Sequence, residues 1–295
     1  LVMRRWSVPL FVMVSGALLL DPSKKESAGE FYRKRASRIL APLLFWSAVY
    51  TAWTALRESR QPAGWSWGQL LDNLLNGVPY YHLWYIYMLV FLYLFTPYYR
   101  LVAAGASRAQ LRLLVGVGFA MVCTSLAHEH FTNGTPDLFI GGFVAFTPYF
   151  FLGHLLHTSP LRPGGKWLVA VAIAMAAMGA VGAYAVTMAF DARTAGYFFT
   201  FFSLPVIALA VCVFFLVKKM ERPLLGRNWT MLLGTSTFGM YLVHAGVLDV
   251  VRFVGLRVGI ANPFALALAF TIPTFVVSAG IVLAMRKVPG LRRTV

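Results

Sequence analysis

The chain has 295 residues, 59% of them hydrophobic and 12% charged, with a mean hydropathy of +0.70 and a formal net charge of +16. A soluble domain carries about 25% charged residues, so this chain has too few ionised groups to cover a water-facing surface, and a single all-α membrane domain over residues 1–295 is expected. The positive excess does not point to nucleic acid, because the Lys and Arg residues lie in short clusters between apolar spans, where they set membrane topology.

In chain order, apolar segments are predicted at 7–20, 39–56, 83–103, 111–127, 138–157, 167–190, 197–217, 230–250 and 263–285, nine in all. Turn chemistry separates them, as in Asp21-Pro22-Ser23, Pro163-Gly164-Gly165 and Asn262-Pro263. The first holds only 14 residues and contains Pro9, against the ~20 that a helix needs to cross a ~30 Å hydrocarbon core. A helix missing before it would account for this, and so would a tilted or re-entrant first span. With residues 21–38 placed in the cytoplasm and the segments alternating, 19 of the 26 Lys and Arg fall inside. The seven outside are Arg4, Arg5, Arg57, Arg60, Arg193, Arg252 and Arg257. This is the bias of the positive-inside rule, and it puts the C-terminus in the cytoplasm.

The outer loops are aromatic or amphipathic. Leu70, Leu71, Leu74, Leu75 and Val78 follow Trp65 and Trp67 at helical spacing, which suggests a short helix lying in the interface. Tyr80, Tyr81, Trp84 and Tyr85 read as an interfacial belt at the start of the third segment. Cys123 and Cys212 both lie in apolar runs and form no CxxC.

Charged groups inside a bilayer are functional candidates by default, and the spans are nearly free of acids. Asp249 is the main one, with Arg252 three residues on and on the same face, a spacing that suits a local ion pair. The six histidines are the other acid–base groups, since imidazole titrates near neutrality. His128 and His130 flank Glu129 in what reads as a solvated outer loop. His154 and His157 share a helix face at a segment end, where they would line a pocket or cap the helix. His82 precedes Leu83-Trp84 at the outer surface. His244 shares a face with Tyr241 inside the eighth segment, as a catalytic group or as a hydrogen-bonded core histidine. The basic run Arg33-Lys34-Arg35-Ala36-Ser37-Arg38 opens the second segment. It reads either as an anchor against anionic lipid or as two guanidiniums at a helix N-terminus, where phosphates bind.

Several stretches taken together resemble the membrane-bound acyltransferase family 3, whose bacterial members O-acetylate envelope polysaccharides. They run from Ser7-Val8-Pro9-Leu10-Phe11-Val12-Met13-Val14-Ser15-Gly16 through Arg35-x-x-Arg38-Ile39-Leu40-Ala41-Pro42 to His82-Leu83-Trp84 with Tyr93 and Pro97. Tyr149-Phe150-Phe151-Leu152-Gly153 follows, and Ser236-Thr237-Phe238-Gly239-Met240-Tyr241-Leu242-Val243-His244 closes the set. The order is the family's and nearly the whole chain is covered. The first, third and last stretches most resemble the enterobacterial common antigen O-acetyltransferase branch. The family usually has ten transmembrane helices, and the resemblance begins at its second.

The resemblance implies a bacterial inner-membrane enzyme that moves an acyl group, acetyl first, from cytoplasmic acyl-CoA to a carbohydrate hydroxyl. Arg35 and Arg38 match the family's paired arginines and would hold the donor's phosphates. Tyr241 and His244 match its late Tyr-Leu-x-His pattern and would line the reaction cavity. His82 and Trp84 match its His-Leu-Trp stretch, where His82 would act in catalysis and an acceptor sugar would stack on Trp84. The other expected partners are membrane lipids, and no metal is expected. An alcohol attacking a thioester needs a base such as imidazole and a donor for the developing oxyanion. No Gly-x-Ser-x-Gly elbow is present. A lipid-linked sugar flippase or small-solute transporter, and an inactive scaffold, are the competing readings of the same helices.

Overall fold

The structure is a computed structural model that describes residues 5–24, 26–59, 66–68, 79–132, 144–223, 225–255 and 262–295. The amphipathic stretch expected over 70–78 and the start of the fifth segment, 138–143, lie outside the described residues. The main helices are α1 (Ser7–Leu19), α2 (Ala28–Glu58), α3 (Trp84–Gly105), α4 (Arg108–Thr132), α5 (Thr147–Thr158), α6 (Gly165–Ala189), α7 (Leu204–Lys218), α8 (Arg227–Gly255) and α9 (Pro263–Met285). Each predicted segment carries one of them. Among the described residues seven helices are long and apolar enough to cross a membrane, and the chain is a polytopic helical membrane protein. A helix satisfies its own backbone, which is what a span through hydrocarbon requires.

The helix ends follow local chemistry. The Asp21 carboxylate accepts the Ser23 N–H at 2.9 Å, closing the turn after α1. Asn262 accepts the Ala265 N–H at 3.1 Å, with Pro263 in the first helical position of α9, where a missing N–H costs nothing. Two expectations are corrected. The second helix begins at Ala28 rather than near 39, because Glu30 to Arg38 holds no breaker. His128, Glu129 and His130 belong to α4, not to a solvated loop. The His130 ring bonds the Leu126 carbonyl through Nδ1 at 2.9 Å, and its own carbonyl accepts the Thr194 hydroxyl at 3.3 Å.

The chain divides into two compact units. The first comprises Leu1–Ala28 and Phe91–Glu221, the second Gly29–Val90 and Arg222–Val295.

Within the first unit the short helices α1 and α5 pack face to face. A Cβ on Gly16 would fall on the Phe150 carbonyl, and one on Gly153 on the Met13 carbonyl, so each helix lays a glycine on the other's backbone. Small residues permit such an approach, and close packing holds helices together where lipid is as apolar as they are. Phe146, Tyr149 and Phe202 form an aromatic core, with the Tyr149 hydroxyl on the Phe201 carbonyl at 2.6 Å. Leu168 of α6 packs on Cys212 and Phe215 of α7. The end of α5 is closed by cations: Lys218 donates to the carbonyls of Leu156, His157 and Ser159 at 2.8, 2.8 and 3.1 Å, and Arg108 to that of Thr158. Positive charge at a helix C-terminus also suits the helix dipole.

Within the second unit α8 and α9 meet at Gly239, where an added Cβ would lie about 3 Å from Val282 and Val295. Arg286 donates to the hydroxyls of Thr235 and Ser236, each at 3.1 Å. Trp46 of α2 donates its indole N–H to the Thr294 carbonyl at 2.9 Å, tying the C-terminal turn to the same helix. Tyr50, one turn further along α2, reaches into α8.

Candidate active site

The site lies wholly within the second unit and is built where α2, the turn before α3, and α8 converge. Tyr50 is buried on α2. Its hydroxyl donates to the Leu242 carbonyl at 2.7 Å and accepts the Gly246 N–H at 3.2 Å. Leu242 and Gly246 are the two ends of one helical rung, so a side chain has been inserted beside the ladder of α8, a known cause of local bending.

His82 sits at the turn Tyr80–Leu83, where Leu83 N–H bonds the Tyr80 carbonyl at 3.0 Å and starts α3. It is 5% exposed. Its Nε2 approaches the Leu242 carbonyl at 3.3 Å, while Nδ1 is buried with no hydrogen-bond partner. If Nε2 carries the proton for that carbonyl, Nδ1 presents a lone pair. Burial first, then neighbouring His244, push the imidazole down to about pKa 3, against the opposing effect of the Leu242 carbonyl. Desolvation disfavours the charged ring, and His82 is neutral at physiological pH.

His244 lies beside it, ring centroids 5.1 Å apart and nearly perpendicular. Its Nδ1 bonds the Tyr241 carbonyl at 2.6 Å, which fixes the tautomer and leaves Nε2 as the acceptor. Tyr241 and His244 share a face as the spacing predicts, with rings 5.6 Å apart. The Tyr241 hydroxyl donates to the His82 carbonyl, fastening the turn before α3 to α8. The structure thus brings His82, Tyr241 and His244 together, with one ring nitrogen of each imidazole against a backbone carbonyl of α8.

The other expected site residues lie elsewhere in the unit. Trp84 opens α3, half-buried and edge-on to Tyr85 at 6.4 Å. Arg35 is half-buried, its guanidinium over the Phe31 ring at 5.3 Å, and Arg38 is exposed one turn on. Both lie well inside α2, so the free N–H groups of a helix N-terminus are not beside them. Any phosphate they held would be bound by guanidinium alone. Fifteen residues separate Arg35 from Tyr50 on α2, about 22 Å at 1.5 Å per residue.

Three further residues complete the surroundings. Tyr80 stacks on Tyr50 at 4.5 Å and 16°, and both meet the His82 ring edge-on. The Tyr80 hydroxyl donates to Asp249 on α8. The ion pair of Asp249 is with Arg57 of α2 at 3.9 Å, not the local pair expected with Arg252. Burial and the Asp249 bond both raise the Tyr80 phenol well above its ordinary value. Tyr50 left no signal in the sequence, being one aromatic among many in an apolar helix. Tyr80 and Asp249 were visible, but only as a belt residue and a boundary charge.

Within the second unit a buried His82 thus stands beside a half-buried His244, the turn before α3 against α8. A family model described as an acyltransferase domain, that of acyltransferase family 3, matches residues 1–283, and the chain belongs to that family. No curated protein and no solved structure matches the chain.

Proposed function

We propose that this protein is a transmembrane O-acyltransferase that carries an acyl group, acetyl first, from cytoplasmic acyl-CoA to a hydroxyl of an envelope or exported carbohydrate. The observation that carries the reading is the pairing of buried His82 with half-buried His244 in a chain of this family. A hydroxyl attacking a thioester must lose a proton as the bond forms, and a neutral imidazole within reach accepts it. His244 is the better oriented base, because its Nδ1 bond to Tyr241 leaves Nε2 as acceptor. His82, whose burial disfavours the charged ring, orders the alcohol beside that base. The Tyr241 hydroxyl is committed to the His82 carbonyl, so its part is to hold that turn in place.

Acyl-CoA is the donor substrate in this reading. Arg35 and Arg38 lie on one face of α2, one turn apart, and would hold its phosphates through charge-assisted hydrogen bonds. The thioester would then have to reach about 22 Å along α2 to the histidines, a task suited to the long flexible arm of coenzyme A. Trp84 offers a half-buried indole on which a sugar ring would stack. The positive-inside bias supports a cytoplasmic position for the Arg35 end and the C-terminus, in the inner membrane of a bacterium. The stretches that resemble the enterobacterial common antigen O-acetyltransferase branch support an envelope polysaccharide as the acceptor.

The test is acyl transfer in membrane vesicles that contain the full-length protein, with labelled acetyl-CoA on the cytoplasmic face. Label appearing in envelope glycans, and lost with His244→Ala and Arg35→Ala, is the expected result. No label with acetyl- or succinyl-CoA from a folded protein would overturn the reading in favour of a transporter or scaffold.

A further inference from the structure

Asp249 is a carboxylate on α8, within a segment apolar enough to span a membrane, and its side chain is 20% exposed. Such a charge is costly to bury and persists where it has work to do. Its pairing with Arg57 does not supply that work, since the arginine is 62% exposed and 3.9 Å away, and ion pairs of that kind contribute little. The closer partner is the Tyr80 hydroxyl. Tyr80 stacks on Tyr50, and the two rings meet the His82 imidazole edge-on at 5.8 Å and 5.0 Å. Tyr50 is anchored independently by the backbone of α8. Among the described residues the Asp249 bond is the one hydrogen bond that the Tyr80 side chain makes. Among the described residues the His82 ring makes one hydrogen bond, a long one of 3.3 Å to the Leu242 carbonyl, against the 2.7–3.2 Å usual for such bonds. Its orientation therefore depends on the walls around it.

We propose that Asp249 is a positioning residue for the proton-transfer pair: by accepting the Tyr80 hydroxyl it clamps the Tyr80–Tyr50 stack against His82 and so fixes where the open Nδ1 of His82 points. This rests on the acyltransferase reading for its catalytic consequence, but not for its structural one. The bond, not the charge, does the positioning, since the carboxylate reaches His82 only through the Tyr80 ring.

Two readouts on the full-length protein in detergent or proteoliposomes test this. One is the rate at which diethyl pyrocarbonate modifies His82, followed by peptide mass spectrometry. The other is the split between kcat and the KM for acyl-CoA. Asp249→Ala and Tyr80→Phe should each speed modification of His82 and lower kcat by about tenfold with KM held, as expected when a reacting group is misplaced slightly. Asp249→Asn still accepts the phenol and should restore most of both. The double variant Asp249→Ala/Tyr80→Phe should be no worse than either single one, as for two residues acting through one bond. A modification rate in Asp249→Ala equal to wild type, losses that multiply in the double variant, or an equal loss in Arg57→Gln would each overturn the proposal. Should Asp249→Ala fail to fold, the near-isosteric Tyr80→Phe and Asp249→Asn carry the comparison. Should the wild-type protein transfer no acyl group, the function reading falls, while the modification rates still decide the positioning.

Discussion

Burial fixes the protonation state of His82 before any substrate arrives. A free imidazole titrates near 6.5, and this one is pushed down to about 3. Between those values the unfolded chain binds a proton that the folded chain does not. Stability is therefore at its full value above about pH 6.5 and is lost as pH falls toward about 3. Thermal unfolding in detergent should show the melting temperature dropping between about pH 7 and about pH 4.5 by more in wild type than in His82→Gln, which has no proton to take up. For activity, His82→Gln and His244→Gln should each lower kcat by about a hundredfold or more at unchanged expression, the usual cost of losing a general base or its partner. A drop of only a few-fold in His244→Gln would remove it as the base. Both histidines were legible in the sequence as titratable groups, His82 at the outer surface and His244 inside the eighth segment. What held them was not: the Leu242 and Tyr241 carbonyls belong to the backbone, and every residue offers one.

At the scale of elements, the two shortest main helices make the closest backbone approach. Helices α1 and α5 are too short to be counted among the seven spans, yet Gly16 and Gly153 lay them against each other's carbonyls. The obstruction at either glycine is backbone, which cannot rotate aside as a side chain can. Gly16→Ala and Gly153→Ala should each destabilise the folded protein by about 1–3 kcal/mol, the cost of overpacking a filled interface. Gly116→Ala on α4, where no atom lies within 4 Å of the new Cβ, should be neutral or slightly stabilising, because glycine is the poorer helix former. Fluorescence-detected thermal unfolding of the three variants checks this, and equal melting temperatures would deny the close approach. The sequence announced both helices by hydropathy. It could not announce their pairing, since a glycine in an apolar run reads the same whether it faces lipid or another helix. The same limit explains why α2 was read as starting near 39: hydropathy marks where lipid begins, not where the helix does, and the basic residues from Arg33 to Arg38 continue the helix for two turns before its apolar stretch.

At the scale of the molecule, one helix connects the two halves of the proposed chemistry. Helix α2 carries Arg35 and Arg38 toward its start and Tyr50 and Arg57 toward its end, so a donor bound at one end and a proton acceptor at the other are separated by most of a bilayer. Mutations at the two ends should therefore fail in different ways. Arg35→Ala and Arg38→Ala should raise the KM for acyl-CoA by about tenfold, the loss of a charged hydrogen bond, and leave kcat nearly unchanged, because binding lost equally from ground and transition states alters KM alone. His82→Gln should do the reverse. The sidedness behind this is open to direct measurement on the same helix. With Cys123 and Cys212 replaced by serine, a cysteine at Arg33 or at Ser59, both exposed, reports one end of α2 each. A membrane-impermeant maleimide applied to intact spheroplasts should label Ser59→Cys and reach Arg33→Cys only after permeabilisation, as the concentration of Lys and Arg on the Arg33 side requires. Labelling in the opposite order would put the arginines outside, away from any cytoplasmic acyl-CoA, and the donor assignment would fall with the topology.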